Sequence, residues 1–119
     1  MRVLVLEDEA PVRNLVKTLL DDAGIESMVA ATAREGIEAI EGAAAPFDAV
    51  VMDLMLPDLS GMDLVRRIRQ TGLPIVMVTG LSQEVVVEEL LMESGIAGVL
   101  QKPFDADELV ERVKVALNR

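Results

Sequence analysis

Residues 1–24, MRVLVLEDEAPVRNLVKTLLDDAG, contain a change of hydrophobic period that decides the fold. Val3 to Leu6 is a continuous apolar run, the form taken by a parallel strand covered on both faces, and Glu7, Asp8 and Glu9 follow it directly. Val12, Leu15, Val16 and Leu19 then recur at i, i+3, i+4 and i+7, the stripe of a helix that buries one side, with Pro11 in its first turn. Gly24 supplies the stop, because glycine adopts the left-handed conformation that commonly ends helices. The stretch is one strand and one helix joined through a short acidic turn.

The same unit repeats along the chain. Further strands are predicted over Ile25 to Ala30, Ala49 to Met52, Pro74 to Val78 and Gly98 to Leu100, with amphipathic stretches between and after them. Thr32 with Glu35 and Asp105 with Glu108 have capping-box spacing at the second and fifth helices, and Ser60 with Asp63 resembles it at the third. Five strands joined by right-handed helical crossovers make an α/β, doubly wound five-stranded parallel sheet in a three-layer sandwich, expected to form one domain over residues 1–119. The flavodoxin-like (βα)5 strand order 2-1-3-4-5 puts the ligand crevice at the carboxyl ends of strands 1 and 3.

Composition narrows the chemistry. The apolar 51% of the 119 residues is divided into short runs, so neither a membrane span nor a signal peptide fits, and a soluble cytoplasmic protein is expected. A chain of this length can bury roughly two-thirds of its surface in one core. The absence of cysteine and histidine excludes disulfides, thiolate nucleophiles and imidazole bases, leaving carboxylates, hydroxyls, amines and backbone groups. With 21 acidic and 11 basic residues the net charge is −10, which repels nucleic acid and anionic lipid, so no direct nucleic-acid or membrane partner is expected.

At the predicted strand ends stand Glu7, Asp8 and Glu9, then Asp53, Thr79 and Lys102. Singly, each has an ordinary explanation as a helix cap, a strand residue or a solvated amine. Together at one sheet edge they form a constellation. Glu7, Asp8 and Asp53 would raise one another's pKa unless a cation neutralised them, and oxygen ligands suit Mg²⁺, with Mn²⁺ the alternative. Asp8 and Asp53 are the expected direct ligands, the Met55 carbonyl a third, and Glu7 acts through water; the competing role for Asp8 is a cap on the first helix. A carboxylate attacks phosphorus when the developing charge is neutralised, so Asp53 is the candidate nucleophile, with Lys102 holding phosphoryl oxygens and Thr79 donating one hydrogen bond. The phosphoryl donor must come from a partner, since the chain lacks both histidine and a GxxxxGK[ST] loop.

The segment Val5-Leu6-Glu7-Asp8-Glu9, the run from Asp53 to Met62 (DLMLPDLSGM), Thr79-Gly80 and Lys102-Pro103-Phe104 resemble the receiver domain of bacterial two-component response regulators, over the whole chain and in order. The resemblance implies a phosphorelay in which a histidine kinase or histidine phosphotransfer protein phosphorylates Asp53. It also implies that the chain catalyses this transfer and a slow self-hydrolysis without turning over an external substrate, and that the Lys102–Pro103 peptide is cis. Output is implied through a downstream protein or a second copy docking on the fourth helix, fifth strand and fifth helix. Val85, Val86 and Met92 in the fourth helix exceed the core stripe of Val87, Leu90 and Leu91, which suits such a face.

The sequence departs from the family at three switch positions. Where many receivers carry an aromatic ring three residues before the lysine, this chain has Val99, leaving Thr79, Gly80 and the following loop to relay the change; it also has no Trp or Tyr to report it by fluorescence. Met55 and Leu81 resemble the positions that tune dephosphorylation, and both are apolar. Slow hydrolysis is expected because such side chains misplace the attacking water, so Met55→Asn or Leu81→Glu should shorten the phosphorylated lifetime. Among competing functions, a haloacid-dehalogenase-type phosphatase lacks its second Asp because Met55 stands there, and a flavin carrier would meet Glu7-Asp8-Glu9 where its phosphate binds. A pseudo-receiver that serves as a phosphorylation-independent interaction module is the alternative. The position of Arg119, soon after the fifth helix, fits a stand-alone chemotaxis-type receiver or a segment of a longer regulator or hybrid kinase.

Overall fold

The computed structural model describes residues 1–42, 46–54, 56–59, 61–80 and 96–118, the side chains of residues 61 and 62 excepted. In chain order these form β1 (Arg2–Leu6), α1 (Ala10–Asp22), β2 (Glu26–Ala30), α2 (Ala33–Gly42), β3 (Ala49–Asp53), α3 (Gly61–Arg69), β4 (Ile75–Thr79), β5 (Ile96–Gln101) and α4 (Ala106–Leu117). Helix α4 is the fifth helix of the sequence pattern. The segment read as the fourth, with Val85, Val86, Val87, Leu90, Leu91 and Met92, lies outside the described residues, as do Met55, Ser60 and Leu81.

All pairings are parallel, and the strand order is β2-β1-β3-β4-β5, as the crossover pattern predicts. The central strands β3 and β4 are buried at every position and β1 at all but its first, which accounts for their unbroken apolar sequence. The edge strands β2 and β5 alternate or fray toward solvent. Strand β5 begins two residues earlier than its apolar run suggests, because a register irregularity between Ile75 and Val76 lets Ile96 pair before Gly98 does.

Side-chain alternation divides the core in two. Leu4, Leu6, Val50, Met52, Ile75 and Met77 pack with Ala33 of α2 and Leu64, Val65 and Ile68 of α3 on one face. Val3, Val5, Ala49, Val51, Val76 and Val78 pack with Val16 and Leu20 of α1 and Leu109 and Val113 of α4 on the other. The described helices therefore cover both faces, giving the three-layer sandwich. In α1 the buried line runs through Val16 and Leu20, whereas Leu15, assigned to the stripe by its spacing, is exposed because it lies at the margin of that line.

The helix ends follow local chemistry. Gly24 has φ +78°, with its N–H on the Asp21 carbonyl (3.0 Å) and the Ile25 N–H on that of Leu20 (2.9 Å), a Schellman closure of α1. Asp105 caps α4 by accepting from the N–H groups of Asp107 (2.9 Å) and Glu108 (3.2 Å). At α2, Thr32 Oγ1 accepts from the Glu35 N–H (3.1 Å), and Glu35 reaches back one residue beyond Thr32 to the Ala31 N–H (2.9 Å). No described helix is long and apolar enough to cross a membrane.

Candidate functional site

The parallel register builds the site. Leu6 pairs with Met52, so the next residues, Glu7 and Asp53, emerge side by side at the crevice between β1 and β3. Asp53 pairs with Val78 and Thr79 with Gln101, which brings Thr79 and then Lys102 to the same edge. The Lys102 N–H donates to the Thr79 carbonyl at 2.7 Å, extending the ladder one residue past β5, and the following Lys102–Pro103 peptide is cis.

Glu7, Asp53 and Thr79 are buried polar residues in this otherwise apolar layer. The Lys102 ammonium lies 2.7 Å from Asp53 Oδ2, 2.9 Å from Glu7 Oε2 and 3.4 Å from Glu9 Oε1. Its side chain is only 17% exposed. Burial alone would depress its pKa, but the hydrogen bonds it donates to Asp53 and Glu7 outweigh burial and hold it above the usual lysine range. For Glu7 the balance reverses: burial, reinforced by the Asp53 charge, pushes its carboxyl up to about 7, against the pull of Lys102 and of the Glu9 N–H, 3.2 Å from Glu7 Oε1.

Glu7, Asp8, Glu9 and Asp53 each offer an oxygen within 4.8 Å of the others. Oxygens on opposite sides of a Mg²⁺ ion stand about 4 Å apart, so this set has the scale of a site that takes some carboxylates directly and others through water. Asp8 is exposed, and the N-cap of α1 is Glu9, not Asp8, so the capping role does not fall to Asp8. Glu7, already engaged by Lys102 and the Glu9 N–H, suits a water-mediated contact. The Met55 carbonyl lies outside the described residues. Gly80 follows Thr79 at the surface, Pro103 is exposed, and Val99 is half-buried in β5, paired with Met77 and packed on the α2–α3 side.

Three contributors were assigned no role from sequence. Glu9 adds a third carboxylate to Lys102, a consequence of the acidic run itself. Arg13 Nη1 donates to the Glu7 carbonyl at 2.9 Å and to that of Asp8 at 3.4 Å; helical side-chain spacing does not signal a bond to main-chain carbonyls five and six residues earlier. Asp58, in the loop after β3, accepts from the Ala33 and Arg34 N–H groups at 2.9 Å each, tying the Asp53 loop to the start of α2. Nothing local announces that partnership, because it spans 24 and 25 residues.

A buried carboxylate at the end of β3, a lysine bonded to it from the end of β5, an acidic cluster after β1 and a buried threonine after β4 form one constellation. The chain is similar to known proteins in sequence and fold. The sequence matches the family described as response regulator receiver domain over residues 3–114. It is 36% identical over 117 residues to the transcriptional regulatory protein DltR of Streptococcus agalactiae, covering 97% of this chain and 51% of that protein. It is 33% identical to the KDP operon transcriptional regulatory protein KdpE of Escherichia coli, covering 98% and 51%. The chain thus spans about half the length of these curated relatives. A response regulator receiver domain protein from Clostridium thermocellum superposes with a TM-score of 0.87 at 30% identity, covering 99% of this chain and 94% of that one. Sequence and fold agree: this chain belongs to the response regulator receiver domain family of two-component systems.

Proposed function

We propose that the chain is a phosphorylatable signalling switch in which Asp53 accepts a phosphoryl group from a partner phosphohistidine. The observation that carries this reading is the Lys102 ammonium 2.7 Å from the buried Asp53 carboxylate, beside the Glu7, Asp8 and Glu9 oxygens. An Asp53 oxygen attacks phosphorus, the phosphorus–nitrogen bond of the donor breaks, and the departing imidazole keeps the electron pair. Lys102 then exchanges part of its contact with Asp53 for a phosphoryl oxygen, and the Thr79 hydroxyl donates to another. Asp8 and Asp53, with the Met55 carbonyl, would hold Mg²⁺ or Mn²⁺, and Glu7 would hold it through water. A bound divalent ion supplies charge neutralisation at the transferring oxygens.

A histidine kinase or histidine phosphotransfer protein is the proposed donor, in a cytoplasmic setting. The output is a changed docking surface that includes β5 and α4, read by a downstream protein or a second copy. The relatives are named transcriptional regulators, and the proposed absence of nucleic-acid contact is confined to this acidic segment. Incubation with acetyl phosphate and MgCl2, followed by intact mass measurement, should add one phosphoryl group to the wild type and none to Asp53→Ala. A wild type that stays unmodified with both acetyl phosphate and a phosphohistidine donor would indicate a phosphorylation-independent interaction module.

A further inference from the structure

The acidic turn between β1 and α1 has to present carboxylates in a fixed direction, although it is a short surface connection. One residue, Arg13, supplies three of its anchoring bonds. The Glu7 N–H is bonded to the Ala30 carbonyl of β2 at 3.1 Å, which fixes where the turn leaves the sheet. Beyond that point, the carbonyls of Glu7, Asp8 and Glu9 all accept from Arg13. Its Nη1 donates to Glu7 at 2.9 Å and Asp8 at 3.4 Å, and its main-chain N–H donates to Glu9 at 2.9 Å. The last is the ordinary first bond of α1; the first two bring a side chain back over the turn to close carbonyls at the junction of strand and helix.

From this juxtaposition we propose that Arg13 is a positioning residue for divalent-cation binding, holding three consecutive carbonyls so that the Asp8 carboxylate faces Asp53. The inference rests on the proposed metal site. Its physical basis is that the Glu7 and Asp8 carbonyls are both held by Arg13 and the Glu9 N–H by Glu7 Oε1, so the backbone that carries Asp8 has less order to lose when a cation is bound. Arginine suits the task because one planar guanidinium serves two acceptors with little loss of its own freedom.

Charge and positioning predict opposite signs. If Arg13 acted only as a cation near an acidic cluster, its removal would strengthen divalent binding by relieving repulsion. If it positions the turn, removal weakens binding, and outer-shell partners of metal ligands are typically worth about 10–100-fold in affinity. Calorimetric titration with MgCl2 reads this without phosphorylation. Arg13→Ala should bind Mg²⁺ at least tenfold more weakly than wild type, whereas Arg112→Ala, which removes an equal charge from α4, should leave the affinity within about twofold. Arg13→Lys should fall between, because a lysine keeps the charge on a shorter side chain whose freely rotating ammonium does not hold both carbonyls in the directions set by the planar Nη1. Unchanged or tighter binding by Arg13→Ala would overturn the inference while leaving the metal site standing; a wild type that binds no Mg²⁺ would overturn both. Should Arg13→Ala fail to fold, Arg13→Lys carries the test, and wild-type affinity in that variant would sink the proposal.

Discussion

Lys102 is the residue on which the electrostatics of the site turn. It offsets Glu7 and Asp53, both almost fully buried, and the burial that pushes Glu7 up to about 7 shows that the compensation at that carboxyl is incomplete. Removing one partner of a buried ion pair strands the other charge, at a cost of about 3–5 kcal/mol. The cost of Lys102→Met should lie near the low end, about 3 kcal/mol, because the amine retains some solvent contact. Urea denaturation measures it. The same experiment with MgCl2 tests whether a divalent ion takes over the neutralisation, in which case the salt raises the midpoint of Lys102→Met more than that of wild type. Equal increments would show that Lys102 and the ion do not serve the same carboxylates.

At the scale of elements, α2 carries two tertiary constraints. It lies so close to β1 that a Cβ at Gly36 would overlap the buried Leu6 side chain. Alanine would improve helix propensity by up to about 1 kcal/mol, but overpacking costs roughly 1–3 kcal/mol where the neighbour cannot retreat. Gly36→Ala should therefore be destabilising, and Leu6→Val should recover part of the loss in the double variant, as a double-mutant cycle in denaturant would read. The second constraint is the Asp58 carboxylate on the first N–H groups of α2. Hydrogen bonds from the Arg34 and Ala33 N–H groups hold its pKa below the ordinary aspartate value of 3.8. A depressed folded pKa contributes stability that is present above the unfolded value and is lost as pH falls through the folded one. Asp58→Asn, with one carbonyl acceptor in place of two carboxylate oxygens, should melt below wild type at neutral pH. The difference should shrink as pH falls below 3.8 through the folded pKa, and a gap independent of pH would exclude this role.

For the molecule as a whole, the −10 charge and the clustered carboxylates predict two separable responses to salt. Screening of general repulsion requires only ionic strength, whereas occupation of one site depends on the ion. MgCl2 at a hundred times its Kd should add about 2.7 kcal/mol to the unfolding free energy by mass action. NaCl at equal ionic strength should add less, and Asp8→Asn should remove the difference between the salts. Identical curves for the two salts in wild type would argue against a specific site.

Strand order and layers were legible because they follow from patterns repeated along the chain: apolar runs that must be covered on both faces, helical stripes, and glycines and caps acting over a few residues. Asp53, Thr79 and Lys102 were legible for the same reason, since parallel strands deliver whatever follows them to one edge. Leu15 shows the limit of periodicity, which sets the width of a stripe but not which margin faces the sheet. Tertiary structure alone decided that Glu7 outranks Asp8 as a partner of Lys102, that Arg13 binds the acidic turn and that Asp58 caps a helix 24 residues earlier. Those choices depend on the directions of individual side chains and on which polar groups burial leaves without water, quantities that exist only once distant segments have packed together.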